Sequence, residues 1–475
     1  MATRVSAPPT LAAVIAATGA LLAGCGETTG SIVPSSFGAR DAYAQAQPLP
    51  VARPQSVPTR PQLPQSKPAA APVSTPSSER PWSGQDGASG HPTMRASAIR
   101  SAAADFQNCL GRLYPLAAKR GVSRATFDRH VRPLTPDLRL MDLMDSQPEF
   151  TKAIWDYLDI LVSEKRVAEG RAKLAQYSNV FERVERQYGV DRHILAAIWG
   201  VETSYGTITG DRSVLRSTAT LACVGRRQSY FRDEFVATLE ILHRNDVPAE
   251  HLKGSWAGAF GQTQFMPTTF RRFAVDFDGD RHRNTVDSVP DMLASTANKL
   301  RKDGWQSGES WGYEVTVPRG FDLSQAERSN RKSLGEWARL GVRRVGGQGF
   351  PRPGDSAFLL MPGGAQGPAF LMVHNFQVLM RYNPAEAYAI AIGHLADRLR
   401  GGGTFAQSWP RHERVLSRDE RRELQELLNK RGLNTGGTSG RIGPMTRSAV
   451  RSFQRSVGLP ADGFASATVL ERLRR

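Results

Sequence analysis

The stretch ILAAIWGVETSYGTITG, residues 194–210, decides how the rest of the chain is read. At helical spacing Leu195, Ile198, Trp199 and Glu202 fall at i, i+3, i+4 and i+7 and share one face. Three of them are apolar and the fourth is a carboxylate, close to a helix end expected at Gly206. A carboxyl among apolar side chains is costly to ionise, so its pKa is expected to rise. The negative end of its own helix pushes the same way. Such an acid keeps its proton near neutral pH and can hand it to a leaving oxygen, the first requirement for cutting a glycosidic bond. A surface glutamate near a helix end is the plain alternative, and the flanking sequence has to choose.

The chain of 475 residues has room for two or three domains. Lys and Arg total 62 against 45 Asp and Glu, a formal charge of +17, which favours an acidic polymer or surface as partner. No helix-turn-helix, zinc-finger or RNP-type signature accompanies that charge, so nucleic acid is not the expected partner. Anionic lipid and an anionic wall polymer remain, beside the plain alternative of a soluble protein from a lineage with an Arg-rich proteome.

Residues 1–25 read as an export signal: Arg4, an apolar run from Leu11 to Ala23, then small residues, too short to span a membrane. It ends in Leu22-Ala23-Gly24-Cys25, which resembles a bacterial lipobox; that resemblance implies acylation of Cys25 and a lipid tether. Gly26 after the cysteine, by analogy with enterobacterial sorting, points to the periplasmic side of the outer membrane. Export also changes the reading of Cys109 and Cys223, since an oxidising compartment favours a bridge over two buried thiols. Residues 26–101, rich in Pro, Ser, Ala and Gln, are expected to form a flexible spacer. A mainly helical body follows over 102–400. It holds a small β-rich insert carried by YEVTVP, AFLLMP and FLMVHNFQVLMRY, giving an α+β, mainly α fold class. Residues 401–415 read as a second linker, and 416–475 as a small three-helix unit with Ala449, Val450, Phe453 and Val457 on one stripe.

GVETSYG, followed downstream by GSWAGAFGQTQFMPTTF, TLACVGRRQSYF, AVDFDGD, STANKLRKDGW and RYNPAEAYAIAI, resembles the membrane-bound lytic murein transglycosylase B family over most of 105–400. The resemblance implies a lysozyme-like helical domain with Glu202 as its single catalytic carboxylate. It further implies non-hydrolytic cleavage of peptidoglycan between N-acetylmuramic acid and N-acetylglucosamine, leaving a 1,6-anhydro ring. Ordinary glycosidases use two carboxylates; here the muramyl C6 hydroxyl is the nucleophile, so one suffices. Asp211, the nearest second acid in sequence, reads as a cap for the following helix. By residue-by-residue carry-over, Ser255, Gln264, Phe265, Tyr382, Asn383 and Tyr388 are expected to line the saccharide groove, with Gly258 and Gly261 allowing close backbone approach. Lys299 stands where the family often has an aromatic after TAN. The rival readings are a muramidase that uses water and a wall-binding scaffold without activity; the intact Glu202, Gln264 and Tyr382 argue against the second.

DFDGDRHRNTVD places Asp276, Asp278, Asp280, His282 and Asp287 at positions 1, 3, 5, 7 and 12 of an EF-hand-like loop suited to calcium, with His282 offering its backbone carbonyl. Arg281 replaces the usual Gly at position 6, and Asp291 is the alternative closing ligand; an empty acidic turn competes with a structural ion. No cofactor is expected for catalysis itself. The last sixty residues, including GRIGPMTRSAVRSFQRSVGLPADGFASATVL, resemble the peptidoglycan-binding domain often fused to wall enzymes. The expected whole is a monomer that meets the membrane through its lipid and glycan strands through body and tail.

Overall fold

The computed structural model describes residues 81–87, 90–144 and 153–475. The acylation candidate Cys25 and most of the spacer lie outside the described residues. No described helix is long and apolar enough to cross a membrane.

Folded structure begins earlier than residue 102. Ser83 donates its backbone N–H and hydroxyl to Asp142 at 3.0 and 2.7 Å, Met94 is 1% exposed, and a helix runs over Ala96–Ala104. Among the described residues there, the large side chains that pack on the core are Met94, Ile99 and the half-buried Trp82. That is too sparse a signal to stand out from the Pro- and Ser-rich sequence around it.

Two helical layers make up most of the body. In one, helices Phe106–Gly111, Arg124–Val131, Val214–Cys223 and Gln228–Arg244 bury Phe106, Phe127, Leu221 and Phe235. Cys109 and Cys223 are joined in a disulfide there, with Cα atoms 6.0 Å apart and a sequence separation of 114. Closing so long a loop removes much of the freedom of the unfolded chain. The other layer wraps helix Arg192–Thr203 with helices Glu164–Gln176, Ser178–Tyr188, Val289–Lys302 and Glu386–Leu399. Every side chain from Ile194 to Gly200 is buried, which explains why this helix is apolar on nearly all sides.

The β insert is one five-stranded sheet in the order Lys332–Ser333, Ser356–Leu360, Ala369–Met372, Gly312–Thr316 and Arg343–Arg344. All neighbours are antiparallel, with Val315 opposite Ala369 and Phe358 opposite Met372. The run FLMVHNFQVLMRY is only partly strand: it turns at Val373 into helix His374–Tyr382, which buries Phe376 and Leu379 at helical spacing. An apolar run of that length does not reveal its period until its packing partners are known.

Residues 401–415 form a packed strap rather than a loose linker. Phe405 stacks on His394 with ring centroids 3.8 Å apart and meets Phe370 edge-on at 5.0 Å. The backbone N–H groups of Ala406 and Gln407 donate to the Glu314 carboxylate. Beyond it, helices Arg418–Lys430, Pro444–Ser456 and Ala467–Arg474 enclose Leu424, Leu428, Val450, Phe453 and Leu470. Val457 falls outside this core, 38% exposed, because the helix ends at Ser456. The small unit is docked: Arg451 pairs with Glu327 at 2.6 Å, and the Asp462 carboxylate accepts the Ala365 N–H at 2.8 Å.

His394 is 7% exposed. Burial, then the charge of Arg398, pushes its imidazole down to about 4. An unfolded histidine titrates near 6.5. Between those values the unfolded chain binds the extra proton, so stability is present above about pH 6.5 and is lost as pH falls toward 4. At about 1.4 kcal/mol per pKa unit the loss approaches roughly 3 kcal/mol. Thermal melts across this window are expected to fall steeply for the wild type and less so for His394→Phe.

Candidate active site

Helix Arg192–Thr203 starts at Asp191, whose carboxylate accepts the His193 N–H at 2.8 Å, and it stops at Thr203, three residues before Gly206. Ser204, Tyr205 and Gly206 then take left-handed φ values of 48°, 58° and 87°. For residues with side chains this conformation costs about 1–2 kcal/mol each, and for a bulky tyrosine it is rare. Four hydrogen bonds, worth about 0.5–1.5 kcal/mol each, offset it. Thr203 Oγ1 donates to the Gln262 carbonyl at 2.6 Å and accepts the Gly206 N–H at 3.0 Å. Arg166 donates to Ser204 Oγ at 3.0 Å, and Tyr205 Oη to the Arg166 carbonyl at 2.9 Å. Gly200 is required beneath: a Cβ there would lie 2.6 Å from the Tyr205 ring. The outcome is a helix cut off one residue after Glu202, leaving that carboxylate partly accessible on the last turn.

Tyr388 donates its phenol proton to Glu202 Oε1 at 2.6 Å, across 186 residues of sequence. It sits in the first turn of helix Glu386–Leu399 and is 2% exposed. Tyr382, the last residue of helix His374–Tyr382, lies parallel to it, with centroids 6.3 Å apart and planes 11° apart. Its own phenol donates to the Thr263 carbonyl at 2.6 Å. Burial, then the charge of Glu202, pushes both phenols well above the ordinary tyrosine range. Both therefore stay protonated donors at any physiological pH.

The 254–265 segment forms the facing turn. Phe260 and Phe265 exchange both backbone hydrogen bonds at 2.9 Å, which puts Gln264 at the tip with a left-handed φ of 53°. Gln264 Nε2 donates to the carbonyls of Thr209 and Gly261. Ser255 Oγ is half-buried and accepts the Ala259 N–H at 3.1 Å. Asn383 Oδ1 accepts the Ala385 N–H and fixes the chain entering the Tyr388 helix.

Several expectations need correction. Phe265 is 2% exposed and packs with Phe260 and Phe270, its centroid 6.2 Å from Tyr382; it backs the tyrosine instead of facing solvent. Paired residues of a reciprocally bonded turn share a face, and here that face is the core. Gly258 and Gly261 are needed for the protein's own packing, since a Cβ would meet Thr218 or the Thr285 carbonyl. Asp211 is exposed, and the helix it was expected to cap is capped by Ser213, which accepts the Arg216 N–H. Lys299 is 8% exposed, pairs with Asp303 at 2.5 Å, and holds its Nζ 5.0 Å from the Tyr382 ring, so a cation–π contact replaces the aromatic one. Sequence reasoning missed Arg166, Thr203, Tyr205 and Gln262, which position Glu202; the clustering of Thr203 and Tyr205 around the glutamate was its only trace.

In the acidic loop, carboxylate oxygens of Asp276, Asp278, Asp280 and Asp291 lie within 4.8 Å of one another. Asp287 is not among them: it accepts from His251 and Asn284, both at 3.0 Å. The loop runs four residues beyond EF-hand length before a carboxylate turns inward. His282, expected to offer its backbone carbonyl, donates its backbone N–H to Asp280. Arg281 takes the left-handed turn usually given to Gly, with φ of 74°, and its N–H donates to Asp276. Burial pushes the Asp291 carboxyl up to about 6, although Phe277 and Asn284 donate backbone N–H bonds to it. Four convergent carboxylates with one of them destabilised as an anion fit a hard, oxygen-preferring cation.

Residues 87–397 match the family described as Transglycosylase SLT domain, and 417–473 match the Putative peptidoglycan binding domain. The chain belongs to the SLT transglycosylase family. Membrane-bound lytic murein transglycosylase B of Escherichia coli K12 is 29% identical over 294 residues, 58% of this chain and 79% of that protein. The crystal structure of SltB3 from Pseudomonas aeruginosa in complex with NAG-anhNAM-pentapeptide is 45% identical and covers 78% of this chain and 99% of its own, with a TM-score of 0.75. The Escherichia coli lytic transglycosylase Slt35, solved in complex with calcium, is 26% identical over 66% of this chain and 95% of its own, with a TM-score of 0.53. The protein is therefore a lytic transglycosylase acting on peptidoglycan, a lyase with an appended peptidoglycan-binding domain.

Removing the phenol that holds Glu202 should be felt in turnover. A hydrogen bond to a charged group is worth about 1.5–3 kcal/mol, so Tyr388→Phe is expected to lower kcat by about ten- to hundredfold. Its melting temperature should move little, and initial rates on purified peptidoglycan check this.

Proposed function

We propose that the enzyme cuts the β-1,4 bond between N-acetylmuramic acid and N-acetylglucosamine without water, using Glu202 alone as acid and then as base. The observation that carries this reading is the pairing of Glu202 with the buried, permanently protonated Tyr388 at 2.6 Å. The phenol fixes Oε1 as an acceptor, which assigns the transferable proton to Oε2. The carboxylate stands on the last turn of its helix, whose negative end disfavours a further negative charge, while the Tyr388 phenol stabilises the anion formed once the proton has left. Glu202 gives its proton to the bridging oxygen, and the muramyl C1 develops oxocarbenium character. The resulting carboxylate, held by Tyr388, takes the proton of the muramyl C6 hydroxyl as that oxygen closes onto C1. Proton count and charge balance within one residue, and the product ends are 1,6-anhydromuramyl. Tyr382, Asn383, Ser255 and Gln264 would bind sugar and N-acetyl groups around this point.

The same reading places the protein in the periplasm as a monomer working in wall remodelling, tethered through a lipid on Cys25 to the outer membrane. The lipobox-like Leu22–Cys25 sequence and the membrane-bound relative support the tether. A structural calcium would sit on Asp276, Asp278, Asp280 and Asp291, where it would neutralise the carboxylates and stiffen the loop; no catalytic step needs it.

Digestion of purified sacculi with mass-spectrometric product analysis tests the chemistry. Wild type should release 1,6-anhydromuramyl fragments, and Glu202→Gln should release almost none; hydrated muramyl ends would instead establish a muramidase. For the ion, added calcium should raise the melting temperature of the wild type and leave Asp291→Asn unmoved, and equal shifts in both would reject the assignment.

A further inference from the structure

Helix Glu386–Leu399 serves two places in the body. Tyr388, in its first turn, reaches Glu202. His394 follows six residues later, about 9 Å further along the axis and about 120° round it. There His394 and Arg398, with helix Ile154–Leu161 and residues 404–411 of the strap, wall a cavity of about 530 Å3. That volume is within the range of about 300–1,000 Å3 typical of small-ligand sites. None of its lining residues belongs to the set around Glu202, so it is a separate place on the molecule.

The wall holds polar groups that the fold itself does not use. His394 is 7% exposed, and neither ring nitrogen has a hydrogen-bond partner among the described residues. Phe405 covers one face of the imidazole, with centroids 3.8 Å apart, which leaves the ring edge and its nitrogens for the cavity. Arg398 is 9% exposed; it donates to Glu164 at 2.6 Å, and its Nε has no partner. Buried polar groups are ordinarily hydrogen-bonded, so two neighbours in this state at one cavity wall point to a polar ligand.

Charge selects among such ligands. Arg398 is matched by Glu164, and Arg411 by Asp159 through two hydrogen bonds of 2.8 Å each. The imidazole is neutral at working pH, since burial pushes it down to about 4, and so offers one donor and one acceptor. The lining therefore carries no surplus charge to hold an ion. Donors and acceptors side by side suit vicinal hydroxyls, each of which both gives and accepts. Half-buried Phe405 and Trp409 add aromatic surface for the C–H face of a sugar ring. Buried Leu158 and Val162 stand beside the hydroxyls of Ser163 and Ser408, a setting for the methyl and amide of an acetamido group. We propose that this cavity is a second, non-catalytic carbohydrate site that takes an uncharged N-acetylated amino sugar and gives the enzyme a hold on glycan outside its cleft. It stands apart from the role of Glu202 and would survive a hydrolytic outcome there.

The test uses full-length wild type with labelled histidines and N,N′-diacetylchitobiose, a disaccharide without a muramyl unit. NMR follows the His394 imidazole, identified as the signal absent from His394→Phe. That signal is expected to shift and saturate as the disaccharide is added. N-acetylmuramic acid, which brings a carboxylate, should bind there about tenfold more weakly or worse, the effect of desolvating a charge that finds no free cation. Ser408→Trp, a bulky side chain at an exposed position of the wall, should abolish the shift and keep the wild-type melting temperature. An unmoved His394 signal would overturn the proposal, and so would equal affinity for the two sugars; neither outcome needs an altered cavity. A shift that persists in Ser408→Trp would overturn it too, because the sugar would then be acting from the catalytic cleft.

Discussion

The hydrogen bond from Tyr388 to Glu202 ties together two helices that meet at the centre of the larger core. Neither partner is placed by its own neighbourhood. Glu202 is where it is because the chain takes three left-handed residues in succession immediately afterwards, and those are held by Arg166 from one side and Gln262 from another. Tyr388 is where it is because Asn383 and the stacked Tyr382 define the turn into its helix. Helix ends that stop short at a functional carboxylate carry strain, and the surrounding structure has to over-determine them. Here it does so from three separate segments, with Arg166, with Thr203 and Tyr205, and with the Gln262 carbonyl.

The site is built as a stack of supports. Phe265 backs Tyr382, Tyr382 lies against Tyr388, and Tyr388 bonds the carboxylate. Lys299 closes the stack from beneath, its charge paired with Asp303 and its ammonium near the Tyr382 ring. Two phenols that never ionise at working pH keep their donor geometry through a cycle in which the carboxylate changes charge. That constancy suits a single group asked to act first as acid and then as base.

The tail domain is part of the same machine. Salt bridges from Arg447 and Arg451 reach Glu386 and Glu327 of the body, so the docking surface begins within two residues of Tyr388. The strap over residues 401–415 adds to this by burying Phe405 and Trp409 against the sheet and the helical core. Catalytic body and tail thus share one frame.

Much of this was legible in residues 194–210 and their echoes downstream. The apolar stripe ending in Glu202, the helical bulk, the three main strands and the three-helix tail all follow from local periodicity, which the chain carries within a few residues. Local pattern failed wherever a contact across the fold made the decision. It could not show that Asp291 and not Asp287 closes the acidic loop, because the two differ only in which way a long turn points them. Nor could it show that Phe265 is a core residue, that a Gly-rich linker is a packed strap, or that Glu202 and Tyr388 touch. Those facts depend on segments as far as 186 residues apart meeting, and sequence spacing holds no record of distance once the chain has folded back on itself.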